Sequence, residues 1–332
     1  MSASLPLSLS LRPRAPAPSV DATYRALLPE LPLPLREVAA RLPHRLGLTA
    51  SPDGTWEDFV ELPPNRDLPF YAAEDPARPG ALVVSEASLD RYREAHHWAG
   101  VFGLVADRLA DRQVAPDPAL ARLRAIFLRA WERALALATG DRRLARGAIA
   151  DALAAWRRGV AAERRALALG ALDPAAYAAI TGQKLRWIAA TSRCLVAASG
   201  DPARALLLQR AYDAFLFALQ CRDDATDCAE DAAVRGTSIP AALGYPPGGL
   251  FRAAPKVARV AVALAEAGGF QRLASWIAAW ARAVDARRAP GIPLQNELAG
   301  MIVAGAWEEA DLLAAPSASP PRGVHRHAAQ GA

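Results

Sequence analysis

The acidic stretch Phe217-Ala-Leu-Gln-Cys-Arg-Asp-Asp-Ala-Thr-Asp-Cys-Ala-Glu-Asp231 follows directly on an apolar helical run. On a helix, Asp223, Asp227 and Asp231 fall at i, i+4 and i+8 and share one face, with Asp224 beside them. Like charges at this spacing repel, so an ordinary helix avoids such a face. Mg²⁺ would remove the repulsion, since it takes carboxylate oxygens and leaves positions for phosphate oxygens. The stretch therefore predicts a metal site, with a solvated acidic helix end as the alternative.

Two overlapping patterns in this stretch resemble known enzymes. The pattern Gln-x-x-Asp-Asp-x-x-Asp at 220–227 resembles the second aspartate-rich motif of the polyprenyl diphosphate synthases. The pattern Asp-x-x-Glu-Asp-x-x-x-x-Gly-x-x-x-Pro at 227–240 is similar to squalene and phytoene synthases, but is longer by one residue before the glycine. Both belong to the class I isoprenoid synthases. The resemblance implies a single all-α bundle around a central cavity, which binds a prenyl diphosphate through Mg²⁺, with three ions.

A second candidate motif lies in the helix predicted at 88–113. His96, Gly100, Gly103, Asp107 and Asp111 fall on one stripe of that helix. A glycine inside a helix costs about 1 kcal/mol relative to alanine, so the two glycines need a reason. Either a neighbouring helix packs closely there, or a ligand occupies the space along the stripe.

The end of that stripe, Asp107-Arg-Leu-Ala-Asp111, resembles the family's first aspartate-rich motif, Asp-Asp-x-x-Asp. Its second position is Arg108, and an Asp-x-x-x-Asp form occurs among squalene and phytoene synthases. The paired arginines that follow this motif in elongating synthases are missing, since only Arg112 is near. Because a helical bundle can bring two such motifs face to face, the resemblance implies one metal site. Its ligands are Asp107, Asp111, Asp223, Asp224, Asp227 and Asp231, with Asp223, Asp224 and Asp227 catalytic.

Lys184 is the third candidate, because only Lys184 and Lys256 are lysines among 39 basic residues. The segment around it resembles the family's diphosphate-binding lysine, and an ammonium suits a phosphate oxygen. A surface lysine is the alternative. The diphosphate-binding set implied is Lys184, Gln220, Arg222 and Arg235, with a glycine- and proline-rich lid at 235–250. The pocket set is Phe217, Trp187, Gly100 and Gly103, in which Phe217 offers cation–π stabilisation to an allylic cation.

The composition favours helices, because Ala, Leu and Arg dominate and β-branched residues are sparse. The chain of 332 residues with 52% hydrophobic content can bury a large core. The net charge of +5 is expected to be spread along the chain, without the stripe that a nucleic-acid partner requires. Three cysteines indicate a reducing compartment rather than a disulfide framework. No signal peptide or membrane-spanning run is recognised, so we expect a cytoplasmic protein without an integral membrane segment.

Four segments are expected along the chain. Residues 1–19 are predicted to be disordered, 20–84 to form an irregular or helical extension, 85–313 to form the helical domain, and 314–332 to be a disordered tail. Within the extension, 43–80 is predicted to be a long surface segment anchored by Trp56 and Phe59. The predicted helices of the domain are 88–113, 118–138, 141–168, 173–198, 201–231, 255–267, 270–288 and 293–313.

Three functions remain open. The favoured one is a class I terpene synthase that ionises one prenyl diphosphate of C10–C20 or longer and cyclises or quenches the cation. The second is a prenyltransferase that joins two isoprenoids head-to-tail or head-to-head. The third is a helical protein that has lost efficient metal binding, for which Arg108 is the main argument. The oligomeric state is open, with a homodimer allowed.

Overall fold

The computed structural model describes residues 18–60, 62–73 and 84–286, and these residues form helices and loops without a strand. The all-α class is therefore confirmed. The segment predicted to be a helix at 293–313, the tail at 314–332 and nearly all of 1–19 lie outside the described residues. The helices within the described part are α1 (Val20–Leu27), α2 (Leu33–Ala40), α3 (Leu42–Arg45), α4 (Trp56–Phe59), α5 (Pro63–Arg66), α6 (Leu68–Ala72), α7 (Glu86–Ala110), α8 (Pro118–Thr139), α9 (Arg142–Leu169), α10 (Pro174–Lys184), α11 (Arg186–Ala198), α12 (Pro202–Thr226), α13 (Cys228–Arg235), α14 (Ile239–Leu243), α15 (Pro247–Ala267) and α16 (Gln271–Asp285).

Aspartate caps set the starts of the long helices. Asp117, Asp141, Asp173 and Asp201 precede α8, α9, α10 and α12, and each side chain accepts a hydrogen bond from a backbone N–H of the first turn. These bonds satisfy donors that the helix itself leaves free, and the negative charge complements the helix dipole. Gly140 ends α8 at φ 67°, a left-handed conformation that glycine adopts without strain.

α12 is the central helix of the bundle. It packs most extensively against α15 and also against α10 and α11, while α7 packs against α8 and α11. The contact faces are aromatic and aliphatic, with Phe127, Trp131 and Phe215 fully buried. Cys194, Cys221 and Cys228 are all free thiols, and the first two are buried. No helix in the described part of the chain is both long and apolar enough to cross a membrane.

Several side chains of the N-terminal extension belong to the same core. Trp56 of α4 and Leu68 of α6 are at most 1% exposed, and Tyr24 of α1 stacks edge-on to Trp56. The prediction of a surface segment at 43–80 is wrong at Leu46, Leu68 and Ala72, which are buried, because prolines there start short helices instead of keeping the chain open. None of the residues 47–55 is buried, as predicted. The Trp56 anchor is confirmed.

Three predicted elements are divided differently. The helix expected at 173–198 breaks at Leu185 into α10 and α11, and the helix at 201–231 breaks at Asp227 into α12 and α13. The Asp227 N–H still donates to the Asp223 carbonyl, and the Asp231 N–H to that of Asp227, so the acids keep their helical spacing. The segment expected to be a lid, 235–250, contains α14 and the start of α15. Because α15 begins at Pro247, Pro255 lies inside this helix, whereas the predicted helix at 255–267 began there.

Gly100 and Gly103 of α7 have different surroundings. A methyl group at Gly103 would lie 2.4 Å from the indole of Trp187 on α11, whereas one at Gly100 would meet nothing within 4 Å. Close helix packing, one of the two reasons considered, therefore accounts for Gly103. We expect Gly103→Ala to lower the free energy of unfolding by about 1–3 kcal/mol through overpacking. Gly100→Ala, the matched control, should raise it by about 0.5–1 kcal/mol.

Thermal unfolding of the two variants measures this difference. Equal melting temperatures would mean that Trp187 rearranges freely and that Gly103 is not required for packing.

Candidate functional site

The two predicted aspartate motifs face one cavity of about 200 Å³ at the ends of α7, α10 and α12. α9 closes one side of it, and Phe59 of α4 contributes from the N-terminal extension. The lining residues are Phe59, Leu104, Asp107, Arg108, Asp111, Gln113, Glu163, Tyr177, Thr181, Lys184, Leu185, Gln220, Asp223, Asp224, Asp227 and Asp231.

The cavity lining is strongly acidic. It contains seven carboxyl side chains against two cations, Arg108 and Lys184. Carboxylates that share a concave site repel each other and lose part of their hydration, and both effects favour binding of cations. Apolar side chains contribute little of the wall, namely Phe59, Leu104 and Leu185. Since pockets that enclose a whole ligand measure about 300–1,000 Å³, this one is sized for a charged group rather than for a long hydrocarbon chain.

Lys184 lies beside Asp111, the last residue of the first motif. Its ammonium donates to Glu163 Oε2 at 2.7 Å and to Asp111 Oδ2 at 3.4 Å. All three side chains are 13–15% exposed. The ion pairs thus join α10 to α9 and to the C-terminal end of α7. Removal of one partner from such a pair leaves a charge with little water around it.

The protonation equilibria of this group follow from burial and charge. Burial acts to lower the pKa of Lys184, but the carboxylates of Glu163, Asp107 and Asp111 outweigh it, so that the pKa lies above the ordinary lysine value. Burial raises the pKa of Asp107; the Lys184 charge opposes this, while Asp111 and Glu163 add to it. Lys184 therefore stays charged at neutral pH and serves as a counterion for the surrounding acids.

Asp224 differs from the other acids of the second motif because it is buried and each of its carboxylate oxygens accepts a hydrogen bond. Tyr177 Oη donates to one carboxylate oxygen and Gln220 Nε2 donates to the other at 2.8 Å. Burial raises the pKa of Asp224 to about 7, against the opposing effect of these two hydrogen bonds. Asp224 thus ties α12 to α10, and near neutral pH it is partly protonated.

Asp223, Asp227 and Asp231 line the cavity from the end of α12 and from α13, and Asp223 and Asp227 keep part of their surface exposed. Loss of water around Asp223 raises its pKa, and the negative charges of Asp227 and Asp231 raise it further. The positive charges of Arg222 and Arg108 act in the opposite direction. The Asp223 and Asp227 carboxylates, one helical turn apart, are the acids of the second motif that remain open to an incoming cation.

Arg108 occupies the position of the second aspartate in the Asp-Asp-x-x-Asp motif that this segment resembles. Its guanidinium carbon lies 5.9 Å from the centre of the Phe59 ring, a cation–π contact between α7 and the N-terminal extension. Arg108 also lines the cavity and faces Asp223 closely enough to lower its pKa. This arginine therefore adds a cation to a wall where an aspartate would have added another acid.

The four residues predicted to line a pocket lie elsewhere. Phe217 is 2% exposed and packs edge-on against Tyr177, with ring centres 4.9 Å apart, so Tyr177 separates it from the cavity. Trp187 is buried against Gly103, and neither it nor the two glycines contributes to the lining. The hydrophobic pocket predicted from these side chains is not part of this cavity, because their bulk fills the bundle core.

Only some of the predicted diphosphate-binding residues reach the cavity. Lys184 and Gln220 line the cavity, whereas Arg222 is exposed and does not contribute to the lining. The Arg235 side chain lies outside the described residues.

Glu163 and Phe59 reach the cavity without having been predicted as site residues. Glu163 is the last acid of α9, in Ala-Ala-Glu-Arg-Arg at 161–165, and a lone acid among exposed arginines was the available signal. Phe59 was interpreted only as a packing anchor, and nothing local in its sequence points to α7.

The donor set fits magnesium in its chemistry. Among the described residues, no three Asp, Glu, His or Cys side chains converge closely enough to hold an ion by themselves. Mg²⁺ is usually held by one or two carboxylates together with phosphate oxygens and waters. The Asp223–Asp227 pair meets that requirement, and Asp107 and Asp111 would do so across the cavity if Lys184 turned toward a phosphate.

No protein-family model matches the chain, and comparison with curated proteins and with solved structures gives no significant match. The site itself is an acidic cavity between two aspartate motifs, in which the charged Lys184 pairs with Asp111 and Glu163.

Proposed function

We propose that this protein is a Mg²⁺-dependent enzyme of the class I isoprenoid synthase type, which ionises a prenyl diphosphate by holding its diphosphate group in the cavity between the two aspartate motifs. A terpene synthase reaction is the favoured form. The observation that supports the proposal most is the shared cavity. Asp107 and Asp111 lie far from Asp223 and Asp227 in the chain, yet all four line it together with Lys184.

The role proposed for each residue follows from its position at the cavity. Asp223 and Asp227 on one side, and Asp107 and Asp111 on the other, would hold Mg²⁺. When bound, Mg²⁺ neutralises the diphosphate and makes it a better leaving group. Lys184 supplies a fixed positive charge for a phosphate oxygen, and Asp224 holds Tyr177 and Gln220 in place at the wall.

The reaction breaks the bond between the allylic carbon and the diphosphate oxygen, and both electrons leave with the oxygen. The resulting cation either loses a proton to give an alkene or takes the oxygen of water and releases a proton to give an alcohol. Arg108 and Lys184 lie where they can stabilise the negative charge on the departing diphosphate.

A prenyltransferase is the second candidate, and the stretch 227–240 favours it. Asp227, Glu230, Asp231 and Gly236 keep nearly the order found in squalene and phytoene synthases. In the structure, Gly236 ends α13 at φ 75°, and Ser238 caps the next helix, so this stretch forms a defined turn beside the cavity. An acceptor requirement separates the two candidates.

The test is release of diphosphate from geranyl, farnesyl and geranylgeranyl diphosphate, each supplied alone, with Mg²⁺ and with a chelator. Metal-dependent release with a hydrocarbon or alcohol product that has the same number of carbons as one substrate molecule supports the terpene synthase. Turnover only after addition of isopentenyl diphosphate, or only with two identical prenyl diphosphates condensed to one product, supports the prenyltransferase. If no diphosphate is released under any of these conditions, the proposal is contradicted and a protein without this catalysis is favoured.

Arg108 should tune the pH dependence of this reaction. Its charge lowers the pKa of Asp223, so Arg108→Gln should raise that pKa further. Less of Asp223 is then ionised at a given pH, and the acidic limb of the rate profile should move to higher pH. Profiles of diphosphate release measure the shift. Arg112→Gln, an exposed neighbour outside the lining, is the control; equal profiles for the two variants would show that Arg108 does not act on Asp223.

A further inference from the structure

The positive charge of the chain is concentrated in one helical hairpin. The segment 118–169, which forms α8 and α9, contains eleven arginines and four acids, a net charge of +7 against +5 for the whole chain. All eleven arginines are exposed. The expectation that the charge is spread along the chain is therefore wrong, because the regular spacing of arginines along two helices concealed an excess that the hairpin brings together.

Four of these arginines form a groove near the tip of the hairpin. Arg129 and Arg133 on α8 and Arg142 and Arg146 on α9 line it, with Glu132 as its acid. Arg146 bonds to Glu132, and Arg142 lies 4.0 Å from the same carboxylate oxygen. On α9, Glu132 already supplies an anion to Arg142 and Arg146. On α8, Arg129 and Arg133 lie at i and i+4, a spacing at which like charges repel and which a bound anion would relieve.

An apolar side chain completes the groove. Leu137, which is 64% exposed, lines it together with Ala136, one turn from the hairpin tip at Gly140. The opposite face of α8 is occupied by the core residues Leu123, Phe127 and Trp131. Leu137 therefore lies outside the packed face of α8, where its side chain is open to solvent.

We propose that the α8–α9 tip binds the surface of a bilayer that contains anionic lipids. A row of arginines meets lipid phosphates, while an exposed leucine enters the boundary between headgroups and acyl chains. A nucleic acid is the other polyanion to consider. Arginines also contact DNA phosphates and guanine edges, so the charge of the groove by itself suits either partner. Leu137 and Ala136 offer DNA no hydrogen bond, and they favour the bilayer. The lipid surface explains the leucine as well as the charge. This inference does not depend on the function proposed for the cavity.

The test is cosedimentation of the full chain with vesicles of phosphatidylcholine, with and without phosphatidylglycerol. We expect binding only with the anionic lipid and weaker binding as salt is raised. The triple variant Arg129→Gln, Arg133→Gln and Arg142→Gln keeps the Arg146–Glu132 pair and should bind about 10–100-fold more weakly. The matched control is Arg25→Gln, Arg41→Gln and Arg91→Gln, three exposed arginines outside the hairpin, which should bind vesicles nearly as well as the native chain.

Leu137→Ser separates a bilayer from other polyanions. It should weaken vesicle binding several-fold while leaving any retention on short duplex DNA unchanged, because only the bilayer offers an apolar phase. Three results would overturn the proposal: no binding to anionic vesicles, equal losses in the two triple variants, or tighter binding to DNA than to vesicles with no effect of Leu137→Ser. Circular dichroism of each variant verifies that the helices are intact.

Discussion

Replacement of Asp223 or Asp227 by asparagine should reduce Mg²⁺-dependent diphosphate release by about 10²–10³-fold or more, the scale of losing one group that stabilises developing charge. Asparagine keeps the shape of the side chain but not the negative charge that binds a divalent ion. Both side chains are partly exposed at the cavity, and the negative charges of Asp227 and Asp231 act on Asp223, so removal of a charge also relieves repulsion within the motif. Stability should therefore stay the same or rise slightly while activity is lost.

The matched control for this pair is Glu230→Gln. Glu230 lies three residues beyond Asp227 on α13, is exposed, and does not line the cavity. Diphosphate release measured at saturating substrate over a range of Mg²⁺ concentrations separates the variants. Full activity of either aspartate variant, or an equal loss in Glu230→Gln, would show that the second motif does not bind the metal.

Lys184→Gln should have the second large effect, on stability as well as on activity. Its ammonium is 2.7 Å from Glu163 and 3.4 Å from Asp111, and all three groups are nearly buried. Removal of one partner of such a pair costs about 3–5 kcal/mol, because the remaining charges lack both partner and water. Chemical denaturation measures this loss. Diphosphate release should fall as well, by about 10²-fold or more, with loss of the cation that meets the phosphate.

A double-mutant cycle separates the two effects of Lys184. In the Glu163→Gln and Lys184→Gln double variant one acid and one cation are removed together, so much of the lost stability should return. If Lys184 binds diphosphate, the activity of the double variant stays low. If activity recovers together with stability, Lys184 serves only as a counterion and its assignment to the diphosphate is wrong. Lys256→Gln, the other lysine of the chain, should leave diphosphate release unchanged.

The pH dependence of this pair has a definite sign. The pKa of Lys184 is raised in the folded protein, so its ion pairs contribute fully below the ordinary lysine pKa of about 10.4. The contribution is lost only as pH rises through the higher folded value. Changes in activity between pH 6 and about 9 therefore report on other groups, and Asp224, whose pKa burial raises to about 7, is one of them.

Local rules were sufficient for much of the sequence-based prediction. Long helices, their aspartate caps and the glycine after α8 follow from propensity and from the hydrogen bonds of the first and last turns. The acid spacing in Asp223, Asp227 and Asp231 is likewise local, and it survives the break between α12 and α13 because the backbone hydrogen bonds continue across it. Glu163 and Phe59 were missed because their approach to the cavity depends on how α9 and α4 pack.

The sequence by itself determined that this chain is all-α and where its carboxylates and its rare lysine lie along the helices. These properties depend on residues close together in the chain. Only the tertiary structure decided that Lys184 pairs with Glu163, that Trp187 fills the space beside Gly103, and that the arginines of α8 and α9 share one groove. Each depends on the contact of side chains from different helices, and helix packing sets such contacts by side-chain volume and crossing geometry rather than by local spacing.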